Sequence, residues 1–159
     1  MFQDDCQYSY GSVKRWANNV AWGDVFALKQ LIIPVNIGNS HWCLCVAHVQ
    51  EKRIQFYCSM GGSGAHYCEG LRRFFADEAK KWRGKDAVDL SLLDVESWNV
   101  VGTTAPGTPR QLNGLDCGAF ICYFANYLSV DAALTFNQAN ITSWGRRRMT
   151  LDILRKLVT

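Results

Sequence analysis

Gln111–Phe124, QLNGLDCGAFICYF, sets one thiol between an acid and a glycine, directly ahead of an apolar run. Pro106, Gly107, Pro109 and Gly114 mark the residues before it as loop. From Cys117 to Leu128 the chain is apolar almost all round, the pattern of a buried helix. Cys117 therefore stands at a helix N-terminus, where unpaired backbone N–H groups and the helix dipole favour an anion. A thiolate is favoured at such a place, and a nucleophile is one use of it. Gly118 leaves room for a substrate to come close. An inert core cysteine fits the same position, because free cysteines are mostly buried. Cys122, deeper in the helix, reads as such a core residue.

A cysteine nucleophile needs a base, and the three histidines are the candidates. His48 lies mid-strand and reads as packed. His66 opens an amphipathic helix and reads as solvated. His41 begins the apolar segment HWCLCVAHV (His41–Val49) directly after GNS, where a loop meets a sheet and sites are often built. Trp42 sets a large flat ring beside it. RIQFYCS (Arg53–Ser59) follows the polar turn Gln50–Lys52, so the two segments form a hairpin. Antiparallel pairing across that turn brings His41 close to positions 58–60, and a residue that orients its imidazole is expected around Cys58. Gln111 lies in the loop six residues before Cys117. Its amide can join the Cys117 backbone N–H as an oxyanion hole.

Outward from this centre, LIIPVNI (Leu31–Ile37) reads as a strand, with Pro34 placing it at a sheet edge. HWCLCVAHV is apolar on both parities, as a central strand is. SVKRWANN (Ser12–Asn19) reads as a short helix capped by Ser12. After the break GGSG (Gly61–Gly64), Tyr67, Leu71, Phe74, Phe75, Ala79 and Trp82 recur at helical spacing, with Gly84 as the stop. SWNVVG (Ser97–Gly102) reads as a short strand. Met149, Ile153, Leu154 and Leu157 mark a final amphipathic helix, begun by exposed arginines in GRRRM.

Composition narrows the classes. At 159 residues, 48% hydrophobic and 19% charged, the chain reads as one globular domain spanning 1–159. A net charge of +3 gives no case for nucleic acid, and no apolar run suits a bilayer, so neither partner is expected. The acidic, polar start MFQDDCQYSY is unlike a signal peptide. Seven cysteines without that signal read as free thiols in a reducing compartment. Cys43 and Cys45 share a strand face, but no second nearby pair accompanies them, so no metal site is expected. GGSG lacks the lysine and hydroxyl residue of a phosphate loop, and no cofactor is expected.

PVNIGNSHW, FYCSMGG, RQLNGLDCGAF and FNQANITSWGRRRMTLDIL together resemble the ubiquitin-like protease family, also called sentrin-specific or SUMO proteases. The resemblance runs over nearly the whole chain in order and spacing. It implies an α+β, papain-like cysteine protease fold, with a small mixed sheet packed against the helix that starts at the nucleophile. It implies cleavage after the C-terminal Gly-Gly of SUMO, in precursors or conjugates, by a monomer in the nucleus or cytoplasm. By the same resemblance Cys117 is nucleophile, His41 base and Gln111 oxyanion donor. Trp42, Gly118, Gly61 and Gly62 fall to the side of the site that takes the diglycine tail.

The sequence departs from that family twice. The family has an aspartate where this chain has Cys58, just before SMGG. A neutral thiol holds an imidazole tautomer and stabilises imidazolium poorly. Family catalytic domains also begin earlier, with a Trp-Leu-Asn/Asp segment and much of the modifier-binding surface, so the chain reads as N-terminally truncated. Two expectations stand: a SUMO-cleaving cysteine protease, or a catalytically impaired homologue that binds SUMO or its conjugates.

Overall fold

The polar turn Gln50–Lys52 closes as expected, with the Lys52 N–H donating to the Val49 carbonyl at 3.0 Å. Lys52 takes a left-handed φ of 52° to do so. Around it the computed structural model describes residues 8–20, 23–82 and 91–155. Strands β1 (Gln30–Ile37), β2 (His41–His48), β3 (Arg53–Tyr57) and β4 (Asn99–Val101) form one sheet in that spatial order. The first two pairings are antiparallel and β4 joins β3 in parallel. A parallel neighbour needs a crossover, and helix α2 (Ala65–Trp82) lies on the way to it. β1 is an edge strand, and Pro34 sits exposed on it.

β2 is apolar on both parities because both faces of the sheet are covered. On one face Cys43, Cys45, Ala47, Ile54 and Phe56 pack with Leu71, Phe74 and Phe75 of α2. On the other, Leu44, Val46 and Tyr57 meet Phe120 and Phe124 of helix α3 (Cys117–Ser129), with Phe136 and Ile141 behind. The α+β, papain-like expectation holds: a small mixed sheet lies against the helix that begins at Cys117.

Three expectations change. The N-terminal helix is α1 (Tyr10–Val13), followed by a separate turn of 3-10 helix at Trp16–Asn19. Ser9, not Ser12, precedes it, and its side chain makes no cap. This segment is held from outside: the hydroxyls of Tyr8 and Tyr10 donate to Asp77 and Glu78 of α2 at 2.9 and 2.6 Å. Cys122 is exposed. α3 presents Ala119, Phe120, Tyr123 and Phe124 to the core, which leaves Cys122 and Asn126 on the far side. After α4 (Gln138–Asn140) and one π turn at Ile141–Gly145, helix α5 (Arg146–Leu154) leaves Leu151, Ile153 and Leu154 exposed. Of its apolar residues, only Met149 packs against the second core. Arg146 and Arg148 are exposed, as expected, and pair with Asp116 and Asp152. Gly84, Leu157 and Cys6 lie outside the described residues.

Candidate active site

Gly38 and Asn39 both take positive φ, 54° and 53°, in the tight turn that ends β1. Such a turn reverses the chain within the right-handed twist of a hairpin. It delivers His41 at the very start of β2. On the other side, Leu44 opposes Tyr57, and one more step of that register sets Cys43 opposite Cys58. His41 and Cys43 share a face because strand side chains alternate. The His41 Nε2 lies 3.1 Å from the Cys58 Sγ. The contact falls where the hairpin register predicts it.

Cys58 is held firmly. Its N–H donates to Thr104 Oγ1 at 3.1 Å, and its carbonyl accepts from the Gly61 N–H at 3.2 Å. Gly61 closes that turn at a φ of 86°, a conformation that L side chains rarely adopt. A Cβ there would also run into the Arg110 guanidinium. Gly62, by contrast, faces open space.

The Cys58 thiol is pulled down to about 5. The Cys43 thiol, donating to it, is the largest cause. Burial opposes the shift, while His41 and the Met60 backbone N–H add to it. The same bond and burial push Cys43 far up. The proton belongs on Cys43, because Cys58 alone also has an imidazole and a backbone donor. Cys58 is thus drawn toward its anionic form, which the sequence, read as a neutral thiol in place of a carboxylate, did not show. An Nε2–H tautomer of His41 donates to that sulfur and keeps its lone pair on Nδ1.

Gln111 is buried and doubly anchored to Ser59, the residue after Cys58. Its N–H donates to the Ser59 carbonyl at 3.0 Å, and its Oε1 accepts from the Ser59 hydroxyl at 2.5 Å. Its Nε2 donates one hydrogen to the Asn113 carbonyl at 2.5 Å. The second hydrogen remains for another acceptor. Cys117 is the first residue of α3 and interacts electrostatically with Cys43. Trp42 is 40% exposed, and its Cδ1 would lie 4.0 Å from a Cβ at Gly118. The indole thus flanks the start of α3.

Asp116, beside the thiol, does not serve His41. Its carboxylate accepts from Asn113 and Gln138 at 2.7 Å each and from Arg146 Nε at 3.0 Å. Asn113 and then Arg146 hold it below the usual carboxylate range. His48 is buried beneath Tyr57, 3.4 Å from its hydroxyl, and burial lowers its affinity for a proton. His66 is exposed.

The sequence reading missed Cys43, Ser59 and Thr104. Cys43 was detectable, since it lies two residues from His41 on the same strand face. Ser59 and Thr104 act through loop positions that carry no periodic signal.

A thiol at a helix start, a strand histidine and an anion behind it stand here on the papain-like fold of a cysteine peptidase. Residues 2–157 match the Ulp1 protease family, C-terminal catalytic domain, and the chain belongs to that family. It is 34% identical to the human sentrin-specific protease 2 over 147 residues, which is 92% of this chain and 23% of that protein. The Caenorhabditis elegans sentrin-specific protease is 35% identical over 147 residues, covering 92% of this chain and 19% of the relative. The chain therefore spans about a fifth to a quarter of these relatives. Among solved structures, SUMO protease Ulp1 with its catalytic cysteine oxidised to a sulfenic acid superposes at a TM-score of 0.74. The identity there is 24%, over 94% of this chain and 63% of that one. The C-terminal Ulp1 protease domain in complex with Smt3, the yeast ortholog of SUMO, gives 0.65 at 24% identity, over 83% and 55%. Both support the fold.

Proposed function

We propose that this chain is a catalytic domain that cleaves SUMO after its C-terminal Gly-Gly, in precursors or conjugates. The observation that carries it is the 3.1 Å contact of His41 Nε2 with the Cys58 Sγ, a thiol drawn toward its anionic form where the family has an aspartate. Nδ1 of His41 takes the Cys117 proton, and the thiolate attacks the glycine carbonyl. The Cys117 N–H and the spare hydrogen of Gln111 Nε2 bind the oxyanion. The C–N bond breaks as His41 protonates the leaving amine. Water, deprotonated by His41, then hydrolyses the thioester and frees Cys117. Trp42 and Gly118 line the path of the tail, where glycines pass and larger side chains do not. Six free cysteines among the described residues suit a reducing compartment inside the cell.

The test is labelling with a SUMO bearing a C-terminal electrophile, read by mass spectrometry beside Cys117→Ala. The expected result is one adduct, on Cys117, together with turnover of a SUMO conjugate. An adduct without turnover supports the second reading, a SUMO-binding homologue of low activity. A folded protein that gives no adduct overturns both.

A further inference from the structure

We propose that His41, Cys43 and Cys58 form a binding site for Zn2+ whose occupation shuts the enzyme off. Among the described residues these three make the only cluster of histidine, cysteine or carboxylate groups placed to hold a metal. One donor atom from each, a ring nitrogen and two sulfurs, lies within 4.8 Å of the others. A tetrahedral zinc site spaces such donors at about 3.5–3.8 Å, given Zn–N and Zn–S bonds of about 2.0 and 2.3 Å. The 3.1 Å between His41 and Cys58 therefore opens by about half an ångström, within the reach of a χ1 adjustment. Thiolate and imidazole together suit zinc better than calcium or magnesium.

The scaffold is rigid where it matters. Cys43 is a buried residue of the central strand, and Cys58 follows β3 with its backbone fixed at both ends. His41 is half-buried at the sheet's end, which gives the ion an entrance. Three protein ligands leave a fourth position for water. Binding displaces the thiol proton of Cys43 to solvent.

The consequence for catalysis rests on the protease reading; the binding itself does not. A neutral imidazole has one lone pair and one N–H. With zinc on Nε2, the proton resides on Nδ1, and His41 can no longer accept one from Cys117. The metal thus disables the base without touching the nucleophile. The aspartate of the family, at position 58, offers one oxygen in place of the second sulfur, so the softer set belongs to this chain.

The experiment titrates Co2+, as a visible stand-in, and then Zn2+ into the reduced protein, with a chromophoric chelator as competitor. The expected result is one equivalent bound, with thiolate-to-cobalt charge-transfer absorption that zinc abolishes. That signal disappears in Cys43→Ser and in Cys58→Ala and persists in Cys117→Ala and Cys122→Ser. Zinc inhibits turnover reversibly to a chelator, and Cys43→Ser raises the inhibitory concentration at least about tenfold. Absence of a stoichiometric thiolate signal in the wild-type protein overturns the site. So does a signal or an inhibition left unchanged by Cys43→Ser, for which a retained circular dichroism spectrum is the folding control.

Discussion

Two pairs of thiols lie side by side on one face of β2. Cys45 reaches Cys68 of α2, sulfur to sulfur at 3.3 Å, and Cys43 reaches Cys58. All four are buried. In the first pair the shared proton and burial push Cys45 far up, and the pair is apolar core. In the second, one sulfur is driven down to about 5. Burial is common to both pairs, so burial does not make the anion. The difference is what stands behind the sulfur: His41 and the Met60 N–H behind Cys58, and packed side chains behind Cys68. Two equally buried pairs, joined to neighbouring positions on one strand face, can therefore hold their protons differently.

The comparison breaks most visibly at Cys58. Cys58→Ala removes the anion behind His41, and kcat/KM should fall by about 10²–10⁴-fold, the upper figure being the cost of neutralising the triad acid in a serine protease. Steady-state cleavage of a SUMO conjugate measures it, and a loss below fivefold would separate Cys58 from the mechanism. Cys58→Asp keeps an anion and should retain activity. Its acid limb should move from near pH 5 to about pH 4, following the ordinary carboxylate.

Stability offers a finer comparison. A free unfolded thiol titrates at about 8.5, above the folded Cys58. Between these values the unfolded chain binds more protons, so stability rises with pH. The contribution is complete above about pH 8.5 and is lost as pH falls through 5. Urea midpoints across that window should show the slope in wild type and a flatter line in Cys58→Ala. At the inert pair, Cys68→Ala should cost about 1–2 kcal/mol of stability through the small cavity it leaves, with kcat/KM within twofold of wild type. The smallest effect belongs to Cys122→Ser. Burial pushes its thiol up, away from the reactive thiolate, and its loss should leave both rate and stability unchanged.

Much of this was legible before the fold. The hairpin followed from two apolar segments around Gln50–Lys52, and its register alone brought His41 to Cys58. Helix α3 was legible as a continuous apolar run, but that very uniformity hid which side faced out, and Cys122 was misplaced. The charge state of Cys58 was not legible, because it depends on Cys43 and on the Met60 N–H, a neighbour across the sheet and a turn geometry. Asp116 illustrates the same limit: two of its partners, Gln138 and Arg146, are 22 and 30 residues away.

Those two partners also set an order of events in synthesis. Asp116 precedes the helix that carries Cys117, and two of the three groups gripping its carboxylate are added after that helix is already made. A nascent chain halted before residue 138 has its nucleophile in hand but lacks the long-range clasp that seats it. The thiol thus acquires its final setting only once α5 has left the ribosome.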